Sequence, residues 1–107
     1  MDKVKEKGKG EEAKFFRSEE NKFKITARRN KLIGLWLAEK FGLEGEAAVA
    51  YSKEVIVADL EKPGDDDVVE KILRDCKEKS LDLDESKIRE QLDFFGSEAL
   101  KQIEGDS

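Results

Sequence analysis

The stretch DESKIREQLDFFGSEALKQIEG, residues 84–105, carries the clearest periodicity in the chain. Ile88, Leu92, Phe95, Ala99 and Ile103 recur every three or four residues, so they share one face of an α-helix with its 3.6-residue turn. A strand would scatter them over both faces. Asp84 is placed to cap this helix, and Glu85 adds negative charge to a first turn that favours it. Gly96 weakens the helix slightly, and Gly105 is expected to end it.

The same reading extends upstream. Val68, Val69, Ile72, Leu73 and Cys76 form a second apolar stripe that ends near Ser80, with Leu81 and Leu83 stapling the connection. Asp65, Asp66 and Asp67 open this helix. A carboxylate there is expected to accept free N–H groups and to sit in the positive end of the helix macrodipole, because as a metal loop the run lacks the glycine and terminal glutamate of a calcium hand. Pro63-Gly64 breaks the chain before it. A further helix runs from about Gly45 to Glu61, with Ala48, Tyr51, Val55 and Ala58 on one face. The first helical pattern begins at Glu11, and the weak cap signal at Ser18 places its ordered start there. Phe16, Phe23, Ala27, Leu32, Ile33, Leu35, Trp36, Leu37 and Phe41 lie on its apolar face, and Gly42 stops it. Four amphipathic helices joined by short turns predict an all-α fold, a four-helix bundle over residues 18–104. Residues 1–17 form an N-terminal arm, disordered or weakly helical. Up to Gly10 it is almost all Lys, Glu, Asp and Gly, too polar to offset its ordering entropy.

At 107 residues the chain is one domain and long enough to bury a core. Its charge is uneven: residues 1–31 carry +5 and residues 32–107 carry −10, which sum to −5. A basic arm on an acidic body suggests a partner that the arm reaches. Nucleic acid is not expected, because the acidic body repels a phosphate backbone. There is no histidine and one cysteine. The usual general base and metal ligand are therefore missing, and Cys76 reads as a small core residue in a reducing compartment. No phosphate-binding glycine loop or zinc spacing is present, so no enzyme site, metal or cofactor is expected. The best apolar run, residues 33–38, falls far short of the ~20 residues of a spanning helix, and no signal-peptide core precedes it. A cytoplasmic location without membrane insertion follows as the expectation.

Three features carry the functional reading, the first being the arm itself, a charged segment able to fold on binding. Arg28-Arg29-Asn30-Lys31 is a candidate for phosphate or partner contact. Phe15-Phe16 lies between Lys14 and Arg17; adjacent residues on a helix cannot both face one core, so one phenylalanine is free to anchor a partner.

The run Phe23-Lys24-Ile25-Thr26-Ala27-Arg28-Arg29-Asn30-Lys31-Leu32-Ile33-Gly34-Leu35-Trp36 resembles the signature of the ATP synthase inhibitor subunit zeta family of alpha-proteobacteria. The likeness continues through Tyr51–Asp59, through Pro63–Val68 and at Ile88-Arg89, and covers about Glu12 to Ile103. It implies a bundle whose mobile arm folds into a helix as it enters a catalytic alpha/beta interface beside the central shaft. There the arm acts as a wedge against ATP hydrolysis, with the protein peripheral to the inner membrane through the enzyme. Its partner would be the catalytic head: alpha, beta and central shaft subunits. The implied contact residues are Lys7, Lys9, Glu12, Lys14, Phe15, Phe16 and Arg17. Lys5-Glu6 departs from the family's acidic pair, and Gly8 and Gly10 replace good helix formers. Two glycines cost roughly 2 kcal/mol of helix formation, on the order of 30-fold in affinity. Weakened inhibition is the expectation. The alternative is a non-inhibitory binding module that senses adenine nucleotide weakly through the cluster at Arg28 and Arg29.

Overall fold

The computed structural model describes residues 19–60 and 64–106. Among these residues the chain is all-helical: α1 (Glu19–Lys40), α2 (Gly45–Leu60), α3 (Asp66–Glu78) and α4 (Glu85–Asp106). Each helix packs against two neighbours, in the ring α1–α2–α3–α4 that closes back on α1. This is the expected four-helix bundle. Ile33, Leu37, Ala38, Val55, Val68, Val69, Ile72, Cys76, Ile88 and Leu92 form its core, with Leu81 and Leu83 packed beneath it.

The expected helix ends are built by recognisable chemistry. At the end of α1, Leu43 N–H donates to Ala38 O at 2.8 Å and Gly42 N–H to Glu39 O at 3.1 Å. Gly42 takes the left-handed φ of 82° that this reversal needs. The same pair of bonds ends α3, from Leu81 to Cys76 and from Ser80 to Lys77. There the left-handed residue is Ser80, at φ 59°. Asp84 caps α4 by accepting the Lys87 N–H at 2.9 Å.

Four expectations need correction. Asp65 makes no side-chain cap bond to α3. Its carboxylate is taken by Arg29, and that of Asp66 by Arg89, because a guanidinium offers stronger charge-assisted bonds than a neutral N–H. Gly105 does not end α4, which continues to Asp106. Phe23 is 57% exposed rather than on the core face. It stands at the rim of a recess with Leu60 of α2 rather than inside it. Asn30 and Ser52 are buried, although neither belongs to an apolar stripe. The expected start at Ser18, the end at Glu61, the breaker Pro63 and the arm, residues 1–17, lie outside the described residues.

α1 and α2 approach closely at Gly34. A Cβ built on Gly34 would lie 2.7 Å from the Ser52 Cα. Ser52 is small, and its hydroxyl turns back to donate to Val49 O at 2.7 Å. Gly34→Ala therefore forces the two backbones apart. It is expected to destabilise by about 1–3 kcal/mol despite its better helix propensity. Gly96→Ala, whose added methyl meets only the Arg29 Cδ at 3.6 Å, should be neutral or stabilising. Urea unfolding followed by circular dichroism separates the two.

Tyr51 ties α2 to α3. Its hydroxyl donates to Asp75 Oδ2 at 2.7 Å, and Lys71 Nζ lies 2.9 Å from the same oxygen and 3.0 Å from Glu54 Oε1. The Phe41 ring meets Tyr51 edge-on at 5.4 Å. Burial, and then the Asp75 hydrogen bond, push the phenol far above its ordinary value of 10.0. The unfolded chain loses this proton near pH 10 while the folded chain keeps it. The contribution of Tyr51 is thus undiminished below that pH, and above it this group alone lowers stability by about 1.4 kcal/mol per unit. Unfolding midpoints compared at about pH 9 and pH 11 should show a fall, and Tyr51→Phe should reduce its slope, leaving the shares of Cys76 and Lys71, whose folded values are also raised.

Candidate functional site

Helix geometry divides the basic run of α1. Successive residues are about 100° apart, so four in a row cannot share a surface. Asn30 points inward on the face of Ile33, Gly34 and Leu37, and is 1% exposed. Arg29 follows it. Its Nη1 and Nη2 donate to Asp65 Oδ2 and Oδ1 at 3.2 and 3.0 Å, a bidentate fork. Its Nε donates to Asn30 Oδ1 at 3.0 Å, and its Nη2 lies 3.6 Å from Asp59 Oδ2. Asn30 Nδ2 completes the loop by donating to Asp59 Oδ2 at 3.0 Å. Asp59 is the last charged side chain of α2 and Asp65 immediately precedes α3, so one cluster joins three helices.

This cluster is rich in acceptors. Two carboxylates share one guanidinium, and Asp59, with 8% of its side chain exposed, keeps a buried Oδ1 with no hydrogen-bond partner among the described residues. The donors of Arg29 and Asn30 are engaged inside the bundle.

Arg28 and Lys31 face outward with Lys24, at i−4 and i+3 from Arg28. Arg28 Nη1 donates to Gln102 Oε1 on α4 at 2.7 Å. Lys24 stands 3.7 Å from Glu20. Lys31 is exposed and makes no ion pair among the described residues. Phe23, Ala27 and Ile103 interleave with these cations around an open groove of about 640 Å³. Such a surface suits an anionic or amphipathic segment. Lys24 was not singled out by the sequence; its spacing from Arg28 was the available signal. Asp59 and Asp65 were missed as partners of Arg29, although charged residues are sparse on α2 and a lone aspartate there was a clue.

No cluster of three or more Cys, Asp or Glu side chains suited to a metal occurs among the described residues. Cys76 is in the core, where burial, and then the charge of Asp75, push its thiol up and away from the reactive thiolate. No described helix is long and apolar enough to cross a membrane. The arm candidates Lys7, Lys9, Glu12, Lys14, Phe15, Phe16 and Arg17 lie outside the described residues.

A family profile described as ATPase inhibitor subunit zeta matches residues 1–102. The chain belongs to the ATPase inhibitor subunit zeta family. That places it among regulatory subunits of an ATPase rather than among catalysts. A solution NMR structure of a protein 40% identical superimposes with a TM-score of 0.69, over 79% of this chain and 96% of that one. No curated protein matches the sequence. Within this zeta-family fold, Arg29 holds helices together while Arg28 and Lys31 face solvent. Arg29→Ala should leave Asp59 buried without its counter-charge and cost about 3 kcal/mol. Arg28→Ala should cost less than about 1 kcal/mol. Thermal unfolding of the two variants checks the division.

Proposed function

We propose that this chain is a regulatory subunit of the rotary ATP synthase that restrains ATP hydrolysis through its N-terminal arm, residues 1–17. The observation that carries this reading is the extent of the family match, which begins at residue 1 and so includes the arm with the bundle. The sequence supports the division of labour. The arm offers Lys14, Phe15, Phe16 and Arg17, a pair of aromatic anchors between cations. The bundle is acidic and spends the donors of Arg29 and Asn30 internally. Entry of such an arm at an alpha/beta catalytic interface beside the central shaft is helix-in-groove recognition with coupled folding. It stops hydrolysis by occupying the space into which the subunits close. The outward stripe of Lys24, Arg28 and Lys31 lies on the helix that follows the arm, and is placed to meet an acidic surface of the same catalytic head.

Nucleotide sensing through residues 28–31 is the weaker reading, because the donors of Arg29 and Asn30 are spent within the bundle.

Adding the purified chain to the ATP synthase of the same cell should lower hydrolysis, and a chain lacking residues 1–17 should not. Equal inhibition by both would assign the effect to the bundle and refute the role of the arm. Gly8→Ala with Gly10→Ala should strengthen inhibition by roughly 30-fold, if the arm is helical when bound. No gain from the double variant would mean that the bound arm is not helical at those positions.

A further inference from the structure

An open recess of about 470 Å³ lies between the first half of α1, the end of α2 and the residues leading into α3. Its members differ in depth. Asn30 and the side chain of Asp59 are buried, whereas Phe23 and Leu60 stand more than half exposed at the rim. Thr26 and Asp65 line it between these levels.

The floor holds more acceptors than donors. Asp59 and Asp65 share the single positive charge of Arg29. The guanidinium fork is engaged by Asp65, and Asn30 Nδ2 donates to Asp59 Oδ2. Asp59 Oδ1 is left buried, with no hydrogen-bond partner among the described residues. A carboxylate oxygen in that position has lost its hydration without a donor to replace it, which is a deficit that a ligand can repair.

The surroundings narrow the chemistry of the missing donor. Two carboxylates repel an anion. A divalent metal would need further ligands, yet no third carboxylate or thiol joins the pair among the described residues, and Arg29, 3.0 Å from Asp65, already offsets one charge. An ammonium group brings a single charge and three N–H donors. Asp59, Asp65 and the Thr26 hydroxyl supply oxygen acceptors to the recess. The rim suits the remainder of a lysine, whose methylene stem packs on apolar surface while its head stays with the carboxylates. Lys22 lines the same recess but makes no ion pair among the described residues. Phe23, Ala27 and Ile56 also line the groove beside Lys24, Arg28 and Lys31. A chain whose lysine enters the recess therefore crosses an apolar ridge to a row of cations. That order suits a protein segment with acidic residues near its lysine better than a free amine.

We propose that this recess is a socket for a lysine side chain of a partner protein. The ammonium donates to Asp59 and Asp65, and Phe23 and Leu60 cover the methylenes. The socket is independent of whether the arm restrains ATP hydrolysis, so failure of either leaves the other standing.

The test uses the full chain, titrated with Nα-acetyl-lysine N-methylamide. NMR spectra are expected to show saturable shifts at the amides of Phe23, Leu60, Gly64 and Asp65 and at the Asn30 side-chain amide. Acetylating the ε-amine of the probe removes its charge and should weaken binding roughly tenfold or more. Asp59→Asn keeps an acceptor for Asn30 Nδ2 and should weaken it to the same degree. Phe23→Ala, at an exposed position, leaves the floor and the fold intact and should weaken it severalfold. Equal binding of the two probes, or unchanged binding by both variants, would overturn the socket. Magnesium chloride alone producing the same shifts would assign the recess to a metal and overturn it. A Lys22 ammonium bonded to Asp59 in the free chain, or a long-lived water beside the Asn30 amide with no response to the amine, would overturn it equally.

Discussion

Arg29 stands where three parts of the chain converge, and its guanidinium satisfies Asp65 before α3 while lying against Asp59 of α2. Apolar burial draws the helices together but tolerates sliding, because one aliphatic contact resembles the next. A bidentate fork does not tolerate it: a shift of an ångström breaks both bonds to Asp65 and draws the guanidinium away from the buried Asp59. Asn30 strengthens the constraint by linking Arg29 to Asp59 from within α1. Further along α1 and α2, the contact of Gly34 with Ser52 fixes the separation of the helices, and the edge-on rings of Phe41 and Tyr51 close the far side. One end of the pair is thus held by charge and the other by shape.

This division has a bearing on function. A run of four polar residues reads as one binding motif, yet the helix assigns half of it to architecture. What remains outside is a stripe of cations, Lys24, Arg28 and Lys31, interleaved with Phe23 and Ile103. It occupies the part of α1 nearest residues 1–17. The opposite face of that end carries the apolar side chains of α2. The surfaces able to engage other molecules therefore gather at the end of the bundle where the arm enters, whereas the core contributes rigidity and nothing reactive.

The helices were legible because their information is local. Ile88, Leu92, Ala99 and Ile103 declare a helix by spacing alone, and all four are buried. Gly42 declared the end of α1, and Asp84 the start of α4, for the same reason, since a cap is settled within a few residues. Information that spans the fold was not legible. The carboxylate of Asp65 had a local use as a cap and a remote one with Arg29, 36 residues away, and only the tertiary structure decides between them. Phe23 fits the apolar stripe, but its exposure depends on how the neighbouring helices are placed around it. Gly34 reads in sequence as a small cost to a helix; its value is the space it leaves for a second backbone. The basic cluster was half legible: its location was evident, but the inward turn of Arg29 and Asn30 was not.

Ser80 holds a left-handed backbone at the end of α3, a conformation that costs a side-chain-bearing residue roughly 1–2 kcal/mol and a glycine almost nothing. The homologous geometry at the end of α1 already uses glycine. A glycine at position 80 would relieve this strain without touching either outward face.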